Sequence, residues 1–168
     1  MEFIDISSQN ATIFFQLLLA LILGMILGLE RSLVGKRAGM RTFALVSLSS
    51  CMFIVLSELV VERYASVTQA DALRVLAAII SGIGFLGTGI IIFNKELIGL
   101  TTAASLWVTA GIGCAVGFGF YGIAAFAALI TLFVFEVLWH VEQFAAQHVR
   151  IPKRPPKPMR IVEKEEEV

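Results

Sequence analysis

The chain has 168 residues, 58% of them hydrophobic and only 15% charged, which is one domain's length but too apolar for an ordinary soluble domain. Basic and acidic residues balance at 13 each, and the basic ones lie outside the apolar runs without interleaved aromatics, so no nucleic-acid partner is indicated. Cys51 and Cys114 stand in apolar stretches with no second Cys or His at ligand spacing. They suggest neither a disulfide framework nor a zinc site and read as small core residues.

Glu2 and Asp5 precede the first apolar run without any Lys or Arg, so that run reads as a retained span rather than a cleaved secretory signal. A hydrocarbon core about 30 Å thick takes about 20 apolar residues of helix. That ruler fits five times, over about 11–29, 42–61, 75–93, 100–117 and 122–140. The block from Leu100 to His140 carries no formal charge before Glu136 and as one helix would be about 60 Å long, so it has to fold back. The predicted turn is Gly117-Phe118-Gly119-Phe120-Tyr121-Gly122, where glycines permit a reversal and aromatics suit the headgroup level.

The fold class is therefore all-α integral membrane, and its orientation follows from the basic residues. Arg31, Lys36, Arg37, Arg41, Lys95, Arg150, Lys153, Arg154, Lys157, Arg160 and Lys164 fall on one side of a five-span chain and only Arg63 and Arg74 on the other. Positive charge accumulates in the cytoplasm. The amino terminus is thus expected outside and the carboxyl end inside. Residues 1–140 form the transmembrane domain, and residues 141–168, with all four prolines and an acidic end, read as a disordered cytoplasmic tail.

Small residues mark where helices should meet, because close backbone approach replaces the hydrophobic drive that lipid does not supply. Gly82, Gly84, Gly87 and Gly89 crowd the third span, while Thr101, Ser105, Thr109, Gly113 and Gly117 recur every four residues along one face of the fourth. These two spans are expected to form the packed centre. Gly24 and Gly28 mark a close contact for the first span, within the chain or at an oligomer interface.

The charged positions invite structural and functional readings. Glu30 and Arg31 end the first span and Arg41 opens the second, so a pairing of Glu30 with Arg41, or of Arg31 across helices, would lock the first hairpin or form a gate. Asp71 and Arg74 have one-turn helical spacing. Glu136 lies inside the last apolar run with His140 one turn on, which makes it a functional candidate. No acidic cage for magnesium, catalytic triad or nucleotide-binding loop is present. Neither enzyme activity, resident metal nor cofactor is expected.

Several ordered blocks make the chain resemble the MgtC/SapB family of bacterial inner-membrane proteins. They are Gly28-Leu29-Glu30-Arg31 with Ala38-Gly39-Met40-Arg41-Thr42; Asp71 with Arg74; Ser81-Gly82-Ile83-Gly84-Phe85-Leu86-Gly87-Thr88-Gly89; and Gly99-Leu100-Thr101-Thr102-Ala103-Ala104-Ser105-Leu106-Trp107 with Gly111, Gly113, Gly117 and Gly119. The resemblance implies five spans in the inner membrane, a link to survival at low magnesium and, in some pathogens, to virulence. It also implies either modulation of other membrane proteins such as ATPases or transport of a small ion such as magnesium. Motif positions carried over are Glu30, Arg31, Arg41, Thr42, Asp71, Arg74, Thr101, Thr102, Ser105 and Trp107. Longer members carry a soluble domain after the last span, where this chain has residues 141–168. The partners expected are the bilayer, a second copy in a homodimer or higher oligomer, and another membrane protein.

Overall fold

In lipid every backbone N–H and C=O has to be bonded within the chain, so each apolar run folds as a helix. The computed structural model describes residues 2–64, 71–93 and 97–148. Its helices are α1 (Glu2–Leu33), α2 (Met40–Tyr64), α3 (Ala72–Ile90), α4 (Leu100–Gly117) and α5 (Tyr121–His148). All five are long and apolar enough to cross a membrane. Between α3 and α4 a short antiparallel hairpin pairs β1 (Ile92–Phe93) with β2 (Leu97–Ile98) in the register Ile92 to Ile98 and Phe93 to Leu97. The third helix therefore stops at Ile90, short of the expected Phe93, because the chain turns extended at Ile91. In the other direction, α5 runs on to His148, so residues 141–148 are helix where a disordered tail was expected. The remainder of that tail, and Lys95, lie outside the described residues.

Two helix ends are closed by the same device. At the end of α1, Gly35 (φ 70) and Lys36 donate to the carbonyls of Ser32 and Arg31; at the end of α4, Gly119 (φ 75) and Phe120 donate to those of Val116 and Ala115. A left-handed glycine after the last turn lets the following N–H groups satisfy carbonyls that would otherwise be left without donors. Both reversals are tight enough to set successive helices antiparallel.

The centre is built from α1, α2 and α4, with α2 in the middle. A Cβ on Gly24 would lie 2.6 Å from the Phe43 carbonyl oxygen and 2.7 Å from Ser47 Cβ, and one on Gly28 2.6 Å from Met40 Cα. From the other side, a Cβ on Gly113 would collide with the Ser47 carbonyl, and one on Gly117 would lie 2.8 Å from Ile54 Cβ. This corrects one expectation and decides between two alternatives of another. The α4 stripe packs against α2 rather than α3, and Gly24 and Gly28 serve a contact inside the chain. Among the α3 glycines only Gly87 has a neighbour close by, a Cβ there lying 3.5 Å from Ala103 Cβ, while Gly82, Gly84 and Gly89 have open space where a side chain would go, as does Gly111 of α4. Accordingly 56% of the α4 span is buried in the bundle and 17% of the α3 span.

Candidate functional site

Antiparallel succession brings the end of α1, the start of α2, the end of α3 and the start of α4 to one end of the bundle. Most of the motif positions are there. Arg31 is only 5% exposed; its Nη2 donates to Glu30 Oε1 at 2.7 Å and its Nε to Glu30 Oε2. The guanidinium lies over the ring of Phe135 on α5, 3.6 Å from the centroid. A buried cation needs a counter-charge and satisfied donors, and the negative face of an aromatic ring adds attraction from the remaining side. Arg31 thus ties the end of α1 to α5.

The expected pairing was Glu30 with Arg41, or Arg31 across helices, and the Glu30 carboxylate instead takes its sequence neighbour Arg31. The first turn of α2 is held by Ser32, whose Oγ accepts the Met40 N–H at 2.9 Å. Arg41 and Thr42 are exposed, as are Lys36 and Arg37 of the preceding loop. Among the described residues no acidic group pairs with Lys36, Arg37 or Arg41. Beside this loop a cleft of about 310 Å³ is lined by Arg37, Ala38, Thr42, Gly89 and Ile90. It brings together two motif blocks that are far apart in sequence.

On α4 the hydroxyls turn back onto their own helix: Ser105 donates to the Thr102 carbonyl and Thr109 to that of Ser105, each at 2.8 Å. Thr102 and Ser105 are buried, Thr101 is exposed, and Trp107 is half exposed on an apolar groove between α3 and α4. Glu136 is exposed on α5, with His140 Nδ1 3.8 Å from its Oε1. Asp71 and Arg74 sit at the opposite end and form no side-chain ion pair with each other. Asp71 instead caps α3, its Oδ1 accepting the Leu73 N–H at 2.8 Å, since a carboxylate at that position satisfies a free backbone donor. Among the described residues no three His, Cys, Asp or Glu side chains converge as a metal site would require.

Sequence reasoning missed Gln16, Phe135 and Ser47. Gln16 is buried in α1 and donates to the carbonyls of Gly117 (3.0 Å) and Val116 (3.3 Å) at the end of α4. As the one amide within the first apolar run, it carried a signal: a polar group in lipid has to find a partner. Ser47 is fully buried between Gly24 and Gly113, and its Oγ has no hydrogen-bond partner among the described residues. Nothing in the sequence marked Phe135.

A bundle of five apolar helices with ion-paired and basic side chains gathered at one end defines a multi-pass membrane protein. More closely, the chain belongs to the MgtC family, whose sequence model matches residues 17–144. It is 43% identical over 129 residues to an uncharacterised protein of Haemophilus influenzae, covering 74% of this chain and 54% of that one. To YhiD of Escherichia coli K12, named as a magnesium transporter by supposition, it is 38% identical over 132 residues, 77% of this chain and 61% of the relative. Protein SapB of Bacillus subtilis is 40% identical over 126 residues, 73% and 54% of the two chains. The chain spans little more than half the length of these relatives. No solved structure matches it at comparable significance.

Proposed function

We propose that this chain is an inner-membrane regulator of magnesium-linked ion homeostasis, acting through contact with itself and with a larger membrane protein such as an ATPase. The observation that carries this reading is the close-packed centre, where Ser47 of α2 fills the space between Gly24 of α1 and Gly113 of α4. Helices in backbone contact leave little width for a hydrated cation, and magnesium gives up its waters reluctantly. The reading assigns the chain no catalytic reaction. It places the amino terminus outside and the carboxyl end in the cytoplasm, on the charge asymmetry of the loops. Since Gly24 and Gly28 are buried within the chain, contact with a second copy falls to the open face of α3. Crosslinking in membranes tests that contact, and a monomer alone would remove it.

A second reading, transport of magnesium, is favoured by the name of the Escherichia coli K12 relative. Ion flux into liposomes containing purified protein separates the two. The regulator reading expects no magnesium flux above that of empty liposomes, together with rescue of growth at low magnesium when the chain is returned to cells lacking it. Flux that saturates with magnesium would replace it with the transporter.

A further inference from the structure

The basic cleft at the Arg37 end continues into the membrane. A second hollow, of about 460 Å³, shares Thr42, Gly89 and Ile90 with the first and runs on between α2, α3 and α4 along Val46, Phe85, Leu86 and Leu106. One groove therefore has a cationic, hydroxyl-bearing mouth beside the first turn of α2 and an apolar floor along the helices. The glycine at its waist matters. Gly89 has no atom within 4 Å of where its Cβ would be, so the absent side chain is what keeps the two hollows joined.

We infer that this groove holds one anionic phospholipid, its phosphate at Arg37 and Thr42 and an acyl chain against Phe85, Leu86 and Leu106. Three arguments converge on that occupant. An apolar channel open to the bilayer is covered by something apolar, and here the polar mouth lies at the end of the spans, where headgroups are. The guanidinium of Arg37 presents a planar fork that matches a phosphate, and the Thr42 hydroxyl donates beside it. Arg37 lines the mouth, and it and its exposed neighbours Lys36 and Arg41 have no acidic partner among the described residues, so positive charge at and beside the mouth selects an anionic headgroup over a zwitterionic one.

The test is native mass spectrometry of the purified protein from mixed micelles containing phosphatidylglycerol and phosphatidylcholine in equal amounts, with inorganic phosphate as a competitor. The wild type is expected to retain one phosphatidylglycerol in preference to phosphatidylcholine and to keep it in millimolar phosphate. Arg37→Gln should weaken that retention about tenfold, the scale of one charge-assisted hydrogen bond, whereas Arg63→Gln at the opposite end should leave it unchanged. Gly89→Leu should close the groove and remove the bound lipid while, with both proteins stripped of lipid, the variant melts at the wild-type temperature. Equal retention of both lipids, or unchanged phosphatidylglycerol binding in both Arg37→Gln and Gly89→Leu, would overturn the proposal. Displacement by inorganic phosphate would make the mouth a free-phosphate site and equally remove the lipid.

Discussion

Two sets of glycines in this protein look alike in sequence and do opposite things. Gly24, Gly28, Gly113 and Gly117 lie where a Cβ would meet another helix at or below van der Waals contact, whereas Gly82, Gly84, Gly89 and Gly111 face open space within the chain. The difference is one of partners. A glycine in lipid lets backbones approach only where a second backbone is offered, and α2 offers its surface to α1 and α4 on two sides. What α3 offers instead is a mostly uncovered helix that sends Ile83 into the core and has Gly87 near Ala103 of α4. Small residues thus report a permission to pack, and the topology decides which permissions are used.

The largest predicted effect tests that contrast directly. Gly113→Leu drives a side chain into the Ser47 backbone and is expected to cost more than about 3 kcal/mol, so that the protein fails to accumulate. Gly84→Leu, placed in open space, should change the melting temperature in mild detergent little, on the order of 0.5 kcal/mol or less. A Gly84→Leu protein as unstable as Gly113→Leu would show that α3 is packed against a second copy.

A smaller loss is expected at the motif end, where Arg31 and Arg41 look equivalent in sequence. Arg31→Lys keeps the charge but loses the planar contact with Phe135 and the two-point bond to Glu30, a cost of about 2 kcal/mol. Arg41→Lys, on an exposed side chain, should leave stability unchanged. A double-mutant cycle with Phe135→Leu measures the coupling of Arg31 to α5, and a coupling near zero would remove the clamp. Should Arg41→Lys accumulate normally yet fail to restore growth at low magnesium, Arg41 recognises a ligand or partner.

How much of this was legible can be judged residue by residue. The five helices were, because length and apolar composition alone require them. The four-residue stripe on α4 was legible as a face, but its partner was not, since periodicity gives an azimuth and says nothing of which helix stands opposite. Charge placement misled at Glu30: neighbours one apart on a helix do not normally face each other, yet Arg31 bends back to Glu30 while its guanidinium lies over Phe135. Gln16 was visible as an isolated amide in an apolar run and needed only the question of which backbone carbonyls it would satisfy.

Gln16 supplies the third prediction. Gln16→Leu removes the side-chain donor from the Gly117 carbonyl at the end of α4, and a second donor from that of Val116, which also accepts from Gly119; the expected cost is about 1 kcal/mol. The loss should appear as a lower melting temperature with the same oligomeric state. No change would mean that another donor serves the Gly117 carbonyl in the membrane.

The smallest effect is expected at Ser47, and it bears most directly on function. The side chain stands at the tightest point of the centre, and its hydroxyl is buried without a partner among the described residues. An unpaired buried hydroxyl is destabilising relative to none. Ser47→Ala keeps the Cβ that faces Gly24 and the backbone that faces Gly113 and deletes only the oxygen, so stability should stay the same or rise by up to about 1 kcal/mol. Growth at low magnesium should likewise be restored in full if the centre is only a packing contact. Should Ser47→Ala be stable, correctly inserted and yet inactive, the hydroxyl oxygen is a ligand for something that passes through or rests in the centre. The tight contact of α1, α2 and α4 would then be the closed state of a path, and the transporter would displace the regulator as the function of the chain.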